Sequence, residues 1–596
     1  MQLTPGDELR PTHGRTSALR TTPTRSGSRP GAACVSTELY TATRTQGEEG
    51  IDTARQNRVQ AIRGKHPMRS TALILVAVAL LSACASHEDS ARIIDVEGGD
   101  DRIQLTIYGG DEVDLMGQAI ATGDFNGDGY ADVLAGALLA DGPNNERRNA
   151  GEAFVILGRS GLPESLDLSL GEYDLVVFGD EDGGRLGISV AFGDFNGDGY
   201  EDLLAGAPRA DGPGRRDAGK AYVVFGSARP EKKVDIGRSE QDFTIIGAEP
   251  LELLGAAVGA ADFNGDGLDD IVVAAPLADG PEGARLDAGA VYVIFGDPAL
   301  GDSVDLGRTS PDVALWGGDE LDRLGSSLMS GDFNGDGIDD LLIAAFTADG
   351  PDNSREDAGE AYVILGSTEP PRTVDLASGR QDLTVVGARS TDILGIALGA
   401  GDLNGDGIDD LLIGAGGGDG PDGSRTSGGH VYMILGSRSI GGTRDAGRRE
   451  HDLVIYGADE RDQLSRCNLP TCTTIAVADL DRDGTVDILV GADATSGPGN
   501  NRKFHSGEAY VIFGIRPLPV ALDLAEDEAG LTVFGAEDGD RLGAAVAIGD
   551  IDRDGWLDLV IGASEADGPG NKRRDAGEIY VIYGAPALQD AEPSQD

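Results

Sequence analysis

The sequence predicts an all-β fold, a seven-bladed β-propeller with four-stranded antiparallel blades, and three observations support this. An acidic nonapeptide such as Asp-Phe-Asn-Gly-Asp-Gly-Tyr-Ala-Asp at 124–132 occurs seven times, about every 70 residues. Short apolar runs of strand-forming residues flank each copy. A repeat of this length made of short strands is typical of units arranged radially around an axis.

Each unit contains four strand-like segments, which in the second unit are 187–193, 202–208, 220–226 and 242–247. The last unit ends after its third segment, whereas an additional segment, 103–109, precedes the first nonapeptide. We expect 103–109 to complete blade seven and close the ring, because closure leaves only short, protected strand edges. The alternative is an open array with a frayed amino-terminal strand.

The nonapeptide has the chemistry of a calcium-binding loop. Side-chain oxygens at positions 1, 3, 5 and 9 and the backbone carbonyl at position 7 can surround one ion if the glycines permit a tight turn. An all-oxygen shell suits hard cations, and a flexible loop with several carboxylates favours calcium over magnesium. A simple turn between strands is the alternative, but such a turn does not require the acid that all seven copies keep at position 9.

The sequence therefore predicts about seven calcium sites. Loops six and seven carry Asp instead of Asn at position 3 and are expected to bind most tightly, because ligand charge tunes affinity. The predicted ligands are Asp124, Asn126, Asp128, Tyr130, Asp132, Asp194, Asn196, Asp198, Tyr200, Asp202, Asp262, Asn264, Asp266, Leu268, Asp270, Asp332, Asn334, Asp336, Ile338, Asp340, Asp402, Asn404, Asp406, Ile408, Asp410, Asp479, Asp481, Asp483, Thr485, Asp487, Asp550, Asp552, Asp554, Trp556 and Asp558.

These units resemble a known family. The Leu-Gly pair at 186–187, the nonapeptide 194–202, the Gly-Ala-Pro at 206–208 and the strand 221–225 look like an FG-GAP repeat, the unit of the integrin α-subunit propeller. The resemblance extends from about residue 103 to 584, with Leu in place of the family's Phe. It implies that the face carrying the calcium loops is structural and that the opposite face binds ligand.

The amino-terminal region differs from the repeats. Residues 1–67 lack periodicity and are predicted to be disordered or to precede the true start at Met68. The apolar run 72–81 is too short to span a bilayer and suits an export signal. The following Leu-Ser-Ala-Cys resembles a bacterial lipobox, which implies lipidation of Cys84 and a location at the outer membrane or cell surface. An ordinary signal peptide with an incidental cysteine is the alternative.

The predicted organisation is accordingly an extension over 1–67, a lipoprotein signal peptide over 68–83, a tether over 84–99, the propeller over 100–585 and a disordered tail over 586–596.

Deviations from the repeat occur mainly in blades five and six. An insertion in blade six brings Cys467 and Cys472, which are predicted to form a disulfide in an exported protein. Cationic and aromatic residues also depart from the consensus in an otherwise acidic chain of net charge -55. The predicted partner-binding sector consists of His430, Arg466, Arg502, Lys503, Phe504 and His505. The alternative is ordinary divergence between repeats.

The sequence predicts a binding protein that is not an enzyme, because histidines are few and no catalytic motif is present. We expect a monomeric, lipid-anchored module for cell adhesion that binds protein or glycan, with membrane contact through the lipid alone. The acidic charge argues against nucleic acid as a partner. The alternatives are a polysaccharide lyase or hydrolase, with His, Tyr and Arg converging near the axis, and a structural component of the cell envelope.

Overall fold

A computed structural model describes residues 92–96, 102–421, 423–466, 473–496, 504–514, 516–526 and 529–584. These residues form seven sheets of five strands each. Each sheet packs against the next through buried apolar side chains, so the sheets are the blades of a propeller. The predicted seven-bladed all-β fold is confirmed. Within the described ranges, no helix has the length and apolarity needed to cross a membrane.

The two inner strands of each blade flank the acidic nonapeptide. Strand two is buried along its whole length in every blade, which explains its continuous apolar sequence. From blade one to blade seven, strand one spans Met116–Gly123, Val190–Gly193, Val258–Ala261, Ser327–Gly331, Leu394–Gly401, Ile475–Ala478 and Leu542–Gly549. Strand two spans Asp132–Ala137, Asp202–Ala207, Asp270–Ala275, Asp340–Ala345, Asp410–Ala415, Asp487–Ala492 and Asp558–Ala563.

Strands three and four continue each antiparallel sheet outward. Strand three spans Glu152–Ile156, Lys220–Val224, Ala290–Ile294, Glu360–Ile364, His430–Ile434, Glu508–Ile512 and Glu578–Ile582. Strand four spans Leu175–Phe178, Phe243–Ile246, Val313–Trp316, Leu383–Val386, Leu453–Tyr456, Leu531–Phe534 and, in blade seven, Ile103–Tyr108. The amino-terminal segment pairs antiparallel with Glu578–Ile582, so it closes the ring as predicted.

A fifth strand, which the sequence did not predict, lies parallel to strand four in every sheet. It comes from the chain between strands three and four of the next blade, so each sheet borrows a strand from its neighbour. The blade next to blade six is blade seven, whose strand four comes from the amino-terminal segment. The fifth strand of blade six is therefore also amino-terminal, namely Arg92–Asp95. The others, from blade one, are Lys233–Asp235, Ser303–Asp305, Thr373–Asp375, Gly442–Asp445, Ala521–Asp523 and, in blade seven, Ser165–Asp167.

Short 3-10 turns complete the regular structure of the described chain. Some follow strand five, where the terminal Asp accepts a hydrogen bond from the first turn, and others lie between strands two and three. The turns after strand five are Leu168–Leu170, Ile236–Arg238, Leu376–Ser378 and Ala446–Arg448, and the loop turns are Pro143–Asn145, Pro281–Gly283 and Pro351–Asn353.

An arginine clamps the borrowed strand to its blade. The side chain comes from the loop between strands two and three and pairs with the Asp that ends strand five. Arg355 is bidentate, with its two Nη atoms 2.8 and 2.7 Å from the two carboxylate oxygens of Asp445. The six pairs among the described residues are Arg147–Asp235, Arg215–Asp305, Arg285–Asp375, Arg355–Asp445, Arg425–Asp523 and Arg573–Asp167.

The loops gather on two opposite faces. In antiparallel blades, the loops between strands two and three share an end with the links between blades, and the nonapeptide loops lie at the other end. Hydrogen bonds confirm the first grouping: the Leu321 amide of a link donates to the Leu286 carbonyl of a loop at 2.9 Å, and equivalent bonds recur around the ring. We call this end the link face and the other end the loop face.

Candidate metal-binding loops

The nonapeptide loops curl because their side chains accept hydrogen bonds from their own backbone. In every loop, one carboxylate oxygen of the position-1 Asp accepts the amide of the position-6 glycine at 2.8 to 3.0 Å. The position-5 Asp accepts the amide of position 7. In the first loop, Gly127 and Gly129 take positive φ values of 70° and 82°, which favour glycine. The predicted ligand side chains at positions 1, 3 and 5 thus surround one small loop.

The Asp at position 9 is fully buried in all seven loops. Its oxygens accept the amide of a glycine that follows strand three, at 2.7 to 2.9 Å, and an amide of the loop itself. The position-9 Asp therefore joins its loop to the segment that follows strand three in the same blade. Its retention in all seven copies has a structural reason independent of any metal.

Burial, together with the neighbouring acids of the same loop, raises the pKa of each position-9 carboxyl to about 7. The loops therefore hold negative charges close together, in surroundings that stabilise them poorly. A divalent cation at the loop centre would remove this penalty.

Loops six and seven differ from the other five in a way that fits a cation. In loops one to five, the second oxygen of the position-1 Asp accepts the position-5 amide. In loops six and seven the corresponding atoms, Oδ1 of Asp479 and Oδ1 of Asp550, are buried and have no hydrogen-bond partner. Three acids can also offer oxygens within 4.8 Å of one another in each loop, namely Asp479, Asp481 and Asp483, and Asp550, Asp552 and Asp558.

Neighbouring loops are coupled in two ways. In blades two to five, an acid at position 8 accepts the position-1 amide of the preceding loop, as Asp269 does from Asp194 at 2.8 Å. Loops six and seven instead carry arginines at position 4. The guanidinium of Arg482 lies 4.1 Å from the ring centre of Trp556, and that of Arg553 lies 5.5 Å from Tyr130. Between loops six and seven and between loops seven and one, cation–π contacts thus take the place of the hydrogen bonds to a position-8 acid.

The central channel is lined mostly by small and apolar residues. A cavity of about 450 Å³ is lined by strand-one residues of all seven blades, and Glu201 is the one ionisable side chain among its lining residues. His, Tyr and Arg are absent from that lining. The convergence of such groups near the axis, which the alternative of a polysaccharide-active enzyme requires, is therefore not found at this cavity.

The predicted partner sector is only partly within the described residues. Cys84, Cys467, Cys472, Arg502 and Lys503 lie outside them, so lipidation and the disulfide stay predictions. Phe504 is 69% exposed on the link face and stacks on His505 with ring centres 3.9 Å apart.

His430 has a different environment from Phe504 and His505. It begins strand three of blade five, is buried, and has its pKa lowered to about 4 by that burial. It is therefore a neutral side chain inside the blade. Arg466 lies in the link between blades five and six, where its amide donates to the Gln463 carbonyl.

Comparison with known proteins agrees with this repeat structure. Residues 116–156, 186–224, 254–294, 324–364, 394–433 and 542–582 match the FG-GAP repeat family. The chain is a β-propeller of FG-GAP repeats. The matches cover strands one to three of six blades, and blade six, which carries the cysteine insertion, is outside them.

The FG-GAP propeller is also similar to parts of larger proteins. It is 36% identical over 167 residues to phosphatidylinositol-glycan-specific phospholipase D of Bos taurus, covering 28% of this chain and 19% of that protein. It is 31% identical over 286 residues to integrin alpha pat-2 of Caenorhabditis elegans, covering 45% and 20%. With integrin alpha-5 of Xenopus laevis the identity is 30% over 239 residues, covering 39% and 20%. The chain thus spans about a fifth of the length of these relatives.

One prediction is corrected by these relatives. The similar phospholipase D proteins are enzymes by name. The prediction that this chain is not an enzyme is therefore wrong, because its sequence is similar to part of an enzyme. Few histidines and the lack of a catalytic motif do not exclude a catalytic protein of this fold. FG-GAP repeats occur in catalytic and non-catalytic proteins alike, and the fold does not decide between them.

Proposed function

We propose that this FG-GAP propeller is a calcium-stabilised binding module that presents its link face to a protein or glycan ligand. The observation that carries the calcium part is the pair of buried, unpartnered carboxylate oxygens of Asp479 and Asp550. A buried charged oxygen without a partner is costly, and an ion would satisfy it. Side chains at positions 1, 3, 5 and 9 would hold calcium, with the position-7 carbonyl as a further ligand.

The proposed binding role is supported by a difference between the two faces of the propeller. The loop face is occupied by the coupled acidic loops, whose hydrogen bonds leave little freedom to adapt to a partner. The link face varies from blade to blade and carries exposed apolar groups, including Leu251, Leu286 and Leu321 at 53 to 55% exposure. Similarity to integrin α subunits supports a ligand-binding role of this kind.

For the location, we propose export and attachment by a lipid on Cys84, which leaves the propeller exposed at the bacterial outer membrane or cell surface. This part rests on the sequence 81–84 alone. A mutant protein with Cys84→Ser that still partitions into detergent like the wild type would contradict it.

Calcium binding is tested by thermal unfolding of the full chain in calcium, in magnesium and in excess chelator. Ligand that binds only the folded state stabilises it by about 2.7 kcal/mol per site at a concentration 100 times Kd. We expect calcium to raise the melting temperature strongly and magnesium to raise it much less. Equal melting temperatures in all three buffers would contradict the calcium role.

An enzymatic role is the second candidate, and the phospholipase relatives favour it. The test is release of a glycosylphosphatidylinositol-anchored reporter from vesicles by the full chain, in calcium and in chelator. Release at the rate of a protein-free control would leave the binding role as the better account.

A further inference from the structure

Blade five contains a cavity that the metal loops and the central channel do not explain. It has a volume of about 360 Å³ and is lined by the link 389–392, the loop 419–421, strands three and four of blade five, and the segments 446–451 and 520–521. Pockets for small molecules range from about 300 to 1,000 Å³. The cavity is large enough for a ligand of one or two rings.

Four aromatic rings form a continuous wall of this cavity. The ring centre of His430 lies 5.5 Å from that of Tyr432 and 4.9 Å from that of Tyr456, both in edge-to-face geometry. The Tyr432 ring in turn lies 5.2 Å from that of His451. Such a wall offers apolar ring surface on which the C–H face of a ligand can pack.

Hydrogen-bond donors and hydrogen-bond acceptors both lie around the aromatic wall. Arg389 forms an ion pair with Asp419 at 3.3 Å, and the buried Asp392 caps the backbone of the link. Arg449 also lines the cavity. The Nδ1 atom of His451 is buried and has no hydrogen-bond partner. A buried polar atom left unpaired is costly, and a hydroxyl group of a ligand would pair it.

This combination is peculiar to blade five among the repeats. The strand-three position of His430 is Glu in blades four, six and seven, where the following Tyr hydroxyl donates to that Glu. The position of His451 is Gln241 in blade two and Gln381 in blade four, and each glutamine amide donates to a threonine at 3.0 Å. In blade five, His430 takes the place of the glutamate, with its Nδ1 atom 3.0 Å from the Tyr432 hydroxyl, and His451 takes the place of the glutamine. The Oε1 atoms of Gln241 and Gln381 are buried without a hydrogen-bond partner, like Nδ1 of His451, so blade five is distinguished by its aromatic rings.

The charge of the cavity selects among ligands. Burial lowers the pKa of both histidines, so both are neutral at pH 7, and Arg389 is paired. Arg449 and Asp392 carry opposite charges, so the site has no excess charge for a strong anion or cation. Ring surface combined with donors and acceptors of balanced charge suits a neutral, hydroxylated ring.

We propose that blade five binds a neutral pyranose unit of a glycan in this cavity, packed on the rings of Tyr432 and Tyr456 and hydrogen-bonded to His451, Arg449 and Asp392. The inference rests on the proposed binding role and specifies its ligand class and its site.

The test replaces the blade-five residues with those that blade four carries at the same positions. The full chain with His430→Glu, Arg449→Gly and His451→Gln is compared with the wild type on an array of oligosaccharides ending in hexose, N-acetylhexosamine, uronic acid or sialic acid. The matched control makes two of the converse changes in blade four, Glu360→His and Gln381→His. Thermal unfolding in calcium checks that each variant is folded, and His451→Gln alone serves if the triple variant is not.

We expect the wild type and the control to bind neutral sugars and the blade-five variant to bind them at least tenfold more weakly. Wild-type binding that persists in the blade-five variant would place the sugar elsewhere and overturn this site, while leaving the binding role intact. Binding confined to acidic sugars, or no binding to any sugar on the array, would overturn the ligand class. The calcium-dependent melt reports on the rest of the proposed function independently of these results.

Discussion

At the scale of the residue, the position-9 Asp shows why a motif alone cannot establish a metal site. Both oxygens of Asp340 are used by backbone amides, from Phe333 at 3.0 Å and Gly366 at 2.9 Å. In the sequence, a turn between strands has no evident need of this acid. The structure shows such a need, so calcium binding is indicated instead by Asp479 and Asp550, whose unpaired oxygens no inspection of the sequence can reveal.

Asp481→Asn tests calcium binding at loop six because it gives this loop the position-3 residue of loops one to five. The change removes one negative charge from the acids that would hold the ion. We expect calcium binding at that loop to weaken about tenfold, equivalent to about 1.4 kcal/mol. Isothermal titration measures it, with the exposed Glu526→Gln as a control that removes the same charge elsewhere. Unchanged affinities would show that loop six binds no calcium through Asp481.

At the scale of the element, the borrowed fifth strand is the part of the fold that sequence reasoning missed. Three residues such as Lys233–Asp235 are too few to show an alternating pattern, and their parallel partner lies in the preceding blade. The available signal was the recurrent Asp before a short turn, as at Asp305, Asp375 and Asp445. Strands one to four were predictable because each contributes a longer apolar run at a fixed distance from the nonapeptide.

Arg355→Ala is expected to destabilise the propeller through this element. The Asp445 side chain is 3% exposed, and hydrogen bonds from Arg355 hold the pKa of its carboxyl below the usual value. Removing one partner of a buried ion pair costs about 3 to 5 kcal/mol. Urea unfolding should show a loss of this order, with the exposed Arg380→Ala as the control. Wild-type stability in Arg355→Ala would mean that the fifth strand is held without its clamp.

Most links between blades carry a buried acid, and the titration of these acids should be visible in the stability of the fold. Burial raises the pKa of Asp114 and Asp392 to about 6 and that of Asp322 and Asp462 to about 7. A carboxyl with a raised folded-state pKa stabilises the fold below its unfolded value, near 4, and this contribution is lost as pH rises through the folded value.

In excess chelator, we therefore expect the melting temperature to fall between pH 4.5 and pH 7.5. Asp322→Asn removes one of the titrating groups and should make this decline shallower, whereas Asp352→Asn, at an exposed loop position, should not. The position-9 acids act in the same direction when no metal is bound. A melting temperature that rises over this interval would contradict the assignment of raised pKa values.

At the scale of the whole molecule, the ring is closed at both of its outer layers by the amino-terminal segment. Ile103–Tyr108 is strand four of blade seven, and Arg92–Asp95 is strand five of blade six. The first of these was predictable because the last repeat lacks a strand that the amino-terminal end supplies. The second was not, because it depends on the borrowed strand that the sequence pattern leaves undetected.

Truncation separates these contributions. A chain beginning at residue 91 retains both strands, one beginning at residue 98 loses only Arg92–Asp95, and one beginning at residue 110 loses both. Loss of Ile103–Tyr108 exposes the edge of Glu578–Ile582 and removes Leu105 and Ile107, which are 0% and 1% exposed, from the core of the last blade. We expect the first chain to melt like the full protein, the second several degrees lower, and the third to aggregate through its open edge. Calorimetry and size-exclusion chromatography measure this series, and a monomeric third chain with an unchanged melting temperature would show that the ring is stable without its closing strand.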